Sequence, residues 1–384
     1  MNENKKSKKS LKRIIIAIIL MFVVFIVAGY VTSDETRNFI NKNLLGKKLD
    51  EETIKKIEIN TDENPKIYAF SKYVCVFSKN ELKFYDASTN LVTILNVEMS
   101  NPIIKSNGKY LIMAEENGKS ICLINGTNIS WRNEVEGNIT SINVNKNGYV
   151  SAVVTNNTYK SIIYTYNREG MQLFKSYRST TLVVGTDISK DNKYLVFGEI
   201  DYSGINAKSK INIVSIERAV KDPNNSIEKE YESKQGEIII KLKFANNDDV
   251  VAMYNDNIIK YTKDSKEEIL KINEDIIFAE IGLKGNITSF EKESSGKFSF
   301  KYKVRIKDED NQTENFYILN SSVPKKVITN GNTIAMNFGT DVKIINTSGW
   351  LLKEYESSKQ IKDIVLGNSI LGIIYKDRIE IINF

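Results

Sequence analysis

The hydrophobic and polar positions divide the chain into one long apolar segment and a much longer region of short strands. Ile14–Val31 is an uncharged run of 18 residues, nearly all apolar. A helix of that length rises about 27 Å, close to the thickness of the hydrocarbon core of a bilayer. From about residue 53 onward, short apolar or alternating runs are separated by turns of Asn, Gly, Asp and Lys. That pattern is typical of an all-β domain.

The distribution of charge predicts how the apolar run is oriented across a membrane. Residues 1–13 carry six basic side chains against Glu3 alone, which accounts for +5 of the formal net charge of +6. The positive-inside rule therefore predicts a cytoplasmic leader at 1–13, in contact with anionic headgroups, and an extracytoplasmic location for everything after Val31. The alternative is a cleaved signal peptide with Val27-Ala-Gly29 as its cleavage site. Because an h-region has about 7–15 residues, the sequence favours a retained transmembrane helix at 14–31, with the lipid bilayer as its partner.

Residues 32–52 are predicted to form a stalk between this helix and the domain at 53–384. Ser33, Asp34 and Glu35 make a suitable helix start, and Gly46 makes a suitable stop. Phe39, Ile40, Leu44 and Leu45 lie at helical spacing between them, so the stalk is expected to contain a short helix. No Cys follows the apolar run, which excludes a lipoprotein.

One local pattern returns eight times beyond the stalk. It consists of an apolar run, a turn with Asn, Gly or Asp, and a second aromatic or aliphatic run. The clear copies are Ile188–Phe197, Ile104–Met113 and Val144–Val153, and looser copies begin near Ser71, Asn247, Gly285, Gly331 and Gly367. The mean spacing of about 41 residues is the period of four-stranded propeller blades. Each turn needs a residue that tolerates positive φ, which Gly and Asn provide.

A second strand-turn-strand pattern follows within the units, at Phe84–Val92, Tyr166–Phe174 and Ile345–Leu352. Ile188–Phe197 resembles the repeats of WD40-like propellers, and Asp86–Asn90 is similar to the turn of quinoprotein-type repeats. As a whole, the chain resembles membrane-anchored, propeller-like proteins of Gram-positive bacteria that form a family of unknown function. That resemblance implies a propeller over 53–384, although the Trp-Asp and Gly-His pairs of true WD40 repeats are absent.

The chain ends offer a way to close the ring. The last unit has strands near Ile361–Leu366, Ile370–Tyr375 and Arg378–Ile382 and then lacks a fourth strand. Ile54–Asn60 precedes the first inner strand and can supply it, which leaves no open sheet edge. The sequence therefore predicts a propeller of eight blades. Seven remains the alternative because two units are irregular, with the polar inserts Asp222–Ser226 and Lys307–Asn311 expected to be long exposed loops.

Composition removes several classes of chemistry. The chain has no histidine, so His-zinc sites and catalytic pairs that need an imidazole are excluded. Cys75 and Cys122 lie in apolar alternating runs, which favours buried thiols, with a disulfide between them as the alternative. The near-neutral domain gives no support for nucleic-acid binding. The interleaved aromatics and lysines at Lys297–Tyr302 are interpreted as packing between blades.

Three short motifs have an ordinary structural interpretation. Asn117-Gly-Lys-Ser120 lacks the first glycine and the helix of a phosphate-binding loop, so it is predicted to be a hairpin turn. Asp187, Asp191, Glu199 and Asp201 could bind calcium or act as glycosidase carboxylates, yet the first two fall in the recurrent turn. Lys307–Asp310 lacks the ligand spacing of a calcium loop and is predicted to be a solvated tip. No catalytic, cofactor or metal residue is assigned.

These observations favour a non-enzymatic binding or scaffold module for an envelope protein, a peptide or a wall polymer. A ligand sensor and a carboxylate glycosidase built on a propeller are the alternatives. A glycosidase should bring carboxylates together in a deep central pocket, whereas a scaffold should expose an apolar or aromatic patch on one rim.

Overall fold

A computed structural model describes residues 3–32, 36, 40–41, 44–49, 54–294, 300–308, 313–319 and 322–384. Helix α1 spans Glu3–Thr32, and its large apolar side chains from Ile15 to Val31 are mostly exposed. The predicted helix at 14–31 therefore exists. Within the described part of the chain, no helix was found to be long and apolar enough to cross a membrane. Membrane anchoring stays a prediction.

The all-β prediction is confirmed, and so is the count of eight blades. Eight antiparallel sheets follow one another along the chain, and seven of them are built from four consecutive strands. Blade 1 comprises β3 (Lys66–Phe70), β4 (Tyr73–Ser78), β5 (Glu81–Tyr85) and β6 (Leu91–Asn96), and blade 2 comprises β7 (Pro102–Asn107), β8 (Tyr110–Glu115), β9 (Ser120–Asn125) and β10 (Asn128–Glu134). Blade 3 comprises β11 (Asn138–Val144), β12 (Val150–Thr155), β13 (Ser161–Tyr166) and β14 (Gln172–Arg178), and blade 4 comprises β15 (Leu182–Ile188), β16 (Tyr194–Asp201), β17 (Lys208–Ser215) and β18 (Ile227–Glu232).

Blades 5 to 8 continue the same order. Blade 5 comprises β19 (Ile239–Phe244), β20 (Val250–Tyr254), β21 (Asn257–Tyr261) and β22 (Lys266–Lys271), and blade 6 comprises β23 (Ile276–Ile281), β24 (Ile287–Ser294), β25 (Phe300–Asp308) and β26 (Thr313–Leu319). Blade 7 comprises β27 (Lys326–Asn330), β28 (Thr333–Asn337), β29 (Asp341–Asn346) and β30 (Leu351–Glu356), and blade 8 includes β31 (Asp363–Leu366), β32 (Ile370–Ile374) and β33 (Arg378–Asn383). The two leading strands are β1 (Lys48–Leu49) and β2 (Lys55–Glu58).

Closure by both chain ends is also confirmed. Strand β2 pairs antiparallel with β33, with Ile57 opposite Ile379, and so becomes the fourth strand of blade 8. Both of these isoleucines are buried in a cluster with Val74 and Val76 of blade 1. The N-terminal strand therefore completes the last blade and helps to join it to the first.

The hydrophobic core lies between the blades. The eight clusters of buried apolar side chains each join two consecutive blades, so that the last cluster returns from blade 8 to blade 1. The first strands of neighbouring blades contact one another, as β7 does with β11 and β15 does with β19. The first strands therefore surround the central axis, and the fourth strands form the outer rim.

Two elements were not predicted from the sequence. Strand β1 lies within the predicted stalk and pairs in parallel with β30, the outer strand of blade 7. Helix α2 (Ile216–Lys221) occupies the insert between the third and fourth strands of blade 4. Ser215 caps this helix by accepting from the Arg218 amide, and Ile216 packs into the core. The insert predicted at Asp222–Ser226 follows the helix as a short 3-10 turn in which Asp222, Asn224 and Asn225 are exposed, so it is exposed as predicted but is not a long loop.

The turn residues explain why the repeat forms. The Asn145 side-chain oxygen accepts hydrogen bonds from the amides of residues 147 and 149, at 2.9 and 3.0 Å. Asp86, Asn167 and Asn346 accept bonds from the amides two and four residues ahead in the same way. Each side chain thus satisfies backbone donors that no strand pairing reaches, and this fixes the hairpin at that point.

Candidate functional site

The turns between the first and second strands of all eight blades lie at one end of the propeller, which we call the first-turn face. These turns carry eight asparagines, six lysines and three aspartates, without arginine or glutamate. The lysines are Lys72, Lys109, Lys146, Lys190, Lys193 and Lys284, and the acids are Asp191, Asp248 and Asp249. Residues 14–384 carry a net charge of only +1. The first-turn face therefore has a local basic excess that the overall charge conceals.

Hydrogen bonds connect successive first turns around the axis. Side-chain amides reach carbonyls of the next blade, with Asn145 donating to Ser189 at 3.0 Å and Asn330 donating to Leu366 at 3.1 Å. The Lys190 ammonium donates to the Ala245 carbonyl at 2.6 Å. Because these bonds cross from blade to blade, the turns are held in fixed positions relative to one another.

Close backbone packing holds the turns where blades 5 and 6 meet. Gly285 has a φ of +77°, a region that L residues rarely adopt. A Cβ atom there would overlap the Cα of Ala245 in the neighbouring turn. Glycine is therefore required at this position by both its backbone angle and the space available.

A cavity of about 640 Å³ opens at the centre of the first-turn face, and we call it the axial cavity. Residues from blades 2 to 8 line it. Its polar lining side chains are Asn107, Asn145, Lys146, Asp187, Lys190, Lys284, Asp308, Asn330, Asn332, Thr347 and Asn368. A lining of this kind offers many amide donors and acceptors and three ammonium groups, which suits a polar or anionic ligand.

Asp187 is the one member of the predicted acidic cluster that lines the axial cavity, and its charge is already compensated. Its carboxylate accepts bonds from the Asn143 amide at 2.6 Å, the Lys243 ammonium at 3.1 Å and the Phe244 backbone amide at 2.8 Å. Its side chain is 9% exposed. These contacts tie together blades 3, 4 and 5, so Asp187 acts here as an inter-blade connection.

The other three carboxylates of the predicted acidic cluster lie elsewhere. Asp191 accepts bonds from the Ser189 hydroxyl and the Lys193 amide within its turn, as the turn interpretation predicted, and these bonds lower its pKa against an opposing effect of burial. Glu199 and Asp201 lie at the far end of β16. The structure therefore does not bring the four acids together.

The remaining sequence candidates have structural positions. Asn117–Lys119 form the predicted turn between β8 and β9. Cys75 and Cys122 are free, buried members of one cluster between blades 1 and 2, and burial raises the pKa of both thiols. Asp308 lines the axial cavity, whereas the rest of the predicted tip at 309–311 lies outside the described residues. Among the described side chains, no group of three or more Cys, Asp or Glu could hold a metal ion.

A second cavity lies at the outer rim, between α1 and blades 6 and 7, and we call it the rim pocket. It has a volume of about 490 Å³ and is lined by Ile26, Val27, Tyr30, Ile40, Leu45, Lys47, Tyr317, Ile318, Gly349, Trp350 and Leu351. Trp350 is 68% exposed, and Ile318 and Phe316 beside it are exposed as well. The Tyr30 hydroxyl donates to the Asn41 side chain at 3.0 Å and fixes the end of α1 against the following segment. The predicted aromatic patch on one rim is therefore present.

The sequence did not single out the lysines of the first strands, Lys105, Lys241 and Lys243. One signal was available, because Lys241 and Lys243 interrupt the apolar run Ile239–Phe244 at a strand that the repeat places next to the axis. Lys105 carries no such signal in isolation. Its position becomes meaningful only when the ring is closed.

Comparison with known proteins agrees with the fold. The structure of Sqt1 from Chaetomium thermophilum, bound to the N-terminus of the ribosomal protein L10, matches 86% of this chain and all of its own length, with a TM-score of 0.52 and 8% identity. BamB from Moraxella catarrhalis matches 86% of this chain and 99% of its own, with a TM-score of 0.47 and 11% identity. Such low identities show similarity of fold alone. No curated protein sequence matches significantly.

A family profile gives the one assignment at the level of sequence. Residues 46–384 match DUF5711, a family of unknown function, and the chain belongs to that family. The match begins two residues before β1 and covers the whole propeller. The predicted resemblance to a propeller-like family of unknown function is therefore confirmed, whereas its membrane anchoring and Gram-positive origin stay predictions.

Proposed function

We propose that this member of a family without an assigned function is a non-enzymatic binding module that holds a segment of another envelope protein on its first-turn face. The observation that carries the proposal is the axial cavity, which gathers amide and ammonium side chains from six blades at one rigid opening. A segment of extended polypeptide has unpaired carbonyls and amides along its length. Asparagine side chains can pair with both, because each amide group donates and accepts.

Binding accounts for the cavity better than hydrolysis does. A glycosidase needs two carboxyl groups flanking one bond, about 5–9.5 Å apart, with one of them able to give up a proton. The described carboxylates that line the cavity are Asp187 and Asp308. Asp187 already accepts hydrogen bonds from three donors on neighbouring blades, so its carboxylate is engaged in contacts within the protein. The glycosidase alternative therefore has little support.

We also propose that α1 anchors the propeller to a membrane, as the sequence predicts. No described helix was found to span a bilayer, so this proposal depends on the uncharged run Ile14–Val31, its basic leader and the exposed apolar side chains along α1. The rim pocket supports it, because apolar side chains near the end of α1 continue onto Ile318 and Trp350. Tryptophan at such a place suits the boundary between lipid and water.

The path of the chain suggests which face lies towards the anchor. Trp350 belongs to the turn between β29 and β30, which lies at the same end of blade 7 as its first turn. The Lys353 ammonium donates to the Gly46 carbonyl at 2.7 Å, so the segment from α1 reaches blade 7 near this end. The first-turn face is then on the membrane side, and a partner close to the membrane is favoured over a distant wall polymer. A ligand sensor stays an alternative.

Site-specific photo-cross-linking in cells tests the proposed function. A photoreactive amino acid at Lys146, exposed on the first-turn face, is expected to capture a defined protein partner from the envelope. The matched control places it at Lys376, an exposed lysine between β32 and β33 at the opposite end of the propeller. Equal capture at both positions, or capture only at Lys376, would contradict the assignment to the first-turn face.

A further inference from the structure

Three lysines of the first strands lie close together below the axial cavity, and we call them the lysine cluster: Lys105 of blade 2, and Lys241 and Lys243 of blade 5. The two strands that carry them are the innermost strands of separate sheets, three blades apart in the ring. Lys105 is exposed although it lies in the middle of an innermost strand. Its contact with solvent is therefore inside the ring, below the axial cavity.

Two of the three charges are balanced within the protein. Lys241 forms an ion pair with Glu280, and Lys243 forms one with Asp187 at 3.1 Å and also donates to the Asn143 side-chain oxygen at 3.1 Å. Within the described part of the chain, Lys105 has neither a hydrogen bond nor an ion pair. The cluster therefore contains one ammonium that lacks a counterion.

The surroundings of Lys105 disfavour its charged form. The pKa of Lys105 is lowered, first by burial and then by the positive charges of Lys241 and Lys243, and Glu280 opposes this only in part. An ammonium group surrounded by protein atoms and by like charges is less favourable than one in bulk water, even where solvent reaches it, and an anion beside it offsets that cost.

An anion can reach Lys105 from the first-turn face. Asn107 lines the axial cavity, and Lys105 lies two residues further along the same strand, a distance of about 7 Å. The mouth adds the ammonium groups of Lys146, Lys190 and Lys284, and its lining carboxylates are Asp187 and Asp308. The positive charge therefore continues from the mouth to the lysine cluster.

We propose that the lysine cluster binds a side-chain carboxylate of an acidic peptide segment that enters the axial cavity, with Lys105 as its counterion. This inference rests on the proposed function and specifies its partner. Lysine presents a compact charge without the planar fork of arginine, so it can pair with a carboxylate in several orientations. The asparagines of the mouth then pair with the backbone on either side of the acidic residue.

Peptide binding to the purified full chain in detergent micelles tests this inference. Fluorescein-labelled hexaglutamate is titrated against the protein, with labelled hexaglutamine as the neutral probe of equal length. We expect hexaglutamate to bind at least tenfold more tightly than hexaglutamine. The Lys105→Met variant should lose most of that preference, whereas Lys376→Met, which removes an exposed lysine from the opposite end, should keep it.

The controls separate the possible failures. Because Lys105 is accessible to solvent and has no described hydrogen bond or ion pair, Lys105→Met should unfold at or slightly above the wild-type temperature, and Lys105→Gln provides a second neutral variant. Equal hexaglutamate affinity in wild type and both variants would overturn the lysine cluster as the site. Binding of inorganic polyphosphate without binding of hexaglutamate would overturn the acidic peptide as the ligand. In either case, protein capture at Lys146 in cells would leave the proposed function standing.

Discussion

The axial cavity and the rim pocket lie on the same side of the propeller, but one is lined mainly by polar side chains and the other mainly by apolar ones. The axial cavity is lined mainly by asparagine and lysine, and its turns are connected by hydrogen bonds between blades. The rim pocket is lined mainly by aliphatic and aromatic side chains from α1 and two blades. One surface can therefore select a ligand by charge and hydrogen bonds, and the other can bury apolar area without much selectivity.

The difference follows from where each region lies in the ring. Side chains near the axis are close to those of several blades, so a polar residue there finds partners on more than one neighbour, as Asp187 does. Side chains of the outer strands meet only the adjacent blade, and Trp350 keeps 68% of its surface exposed. We therefore expect substitutions at the axis to affect folding and ligand binding together, and substitutions at the rim to leave folding almost unchanged.

The largest effect is expected for Asp187→Ala. This variant leaves the Lys243 ammonium buried without its carboxylate and removes the acceptor for the Phe244 amide. The free energy of unfolding should fall by about 3–5 kcal/mol, which chemical denaturation of the full chain would measure. Asp187→Asn keeps the shape and an acceptor oxygen, so it should lose less. Wild-type stability of Asp187→Ala would show that the axial network is not needed for folding.

A smaller loss is expected for Gly285→Ala, which tests the close packing of the first turns. The new Cβ would overlap the Ala245 backbone, and the backbone at this position has a φ of +77°. We therefore expect the free energy of unfolding, measured by thermal unfolding, to fall by about 2–3 kcal/mol. Gly331→Ala is the matched control, because Gly331 has a φ of +57° and no atom within 4 Å of the added Cβ. Equal losses in the two variants would mean that backbone strain alone, and not packing, limits this turn.

The pH dependence of hexaglutamate binding should show a change of up to about tenfold. The ammonium form of Lys105 binds the carboxylate, and the pKa of Lys105 is lowered by burial and by the positive charges of Lys241 and Lys243. Affinity should therefore be greatest at neutral pH and fall as the pH rises through this lowered pKa, before an ordinary lysine would deprotonate. The fall should be absent in Lys105→Met. A wild-type affinity that does not change with alkaline pH would contradict the assignment of Lys105.

The smallest effect on folding is expected at the rim, for Trp350→Phe. The Trp350 side chain is largely exposed, so the free energy of unfolding should change by no more than about 0.5 kcal/mol. Trp131 is the only other tryptophan and is buried, which makes fluorescence a clean measurement. In proteoliposomes, brominated lipids should quench wild-type emission and leave that of Trp350→Phe almost unchanged. Equal quenching in both proteins would place Trp350 away from the bilayer.

The blade count and the closure of the ring could be predicted because both depend on local turn chemistry. Asn145 fixes its turn through its side-chain oxygen and Gly285 through its positive φ, so turn residues of these types can be recognised in the sequence. Strand β1 has two residues, too few to show alternation, and α2 has six, too few to show a helical period. Their positions come from contacts with blade 7 and blade 4 that the sequence does not display.

The axial cavity could be predicted only in part. The asparagines and lysines of its mouth were recognised as turn residues, but their meeting around one opening depends on closure of all eight blades. Lys105 and Lys241 are 136 positions apart in the chain, and the recurrent pattern that contains Lys105 does not mark it as a residue near the axis. The expected aromatic rim patch was stated without residues, because exposure at Trp350 depends on the neighbouring blade and on α1.

The placement of β1 and β2 has a mechanical consequence. Any pull transmitted along the chain from α1 reaches β1 first, and β1 is held along the edge of blade 7 by Lys48–Leu49 and by the Lys48–Glu356 ion pair at 2.8 Å. Only after β1 yields would the load reach β2, whose pairing with β33 keeps the ring shut. The short strand β1 would therefore take up a pulling force before that force reaches the β2–β33 pairing that closes the ring.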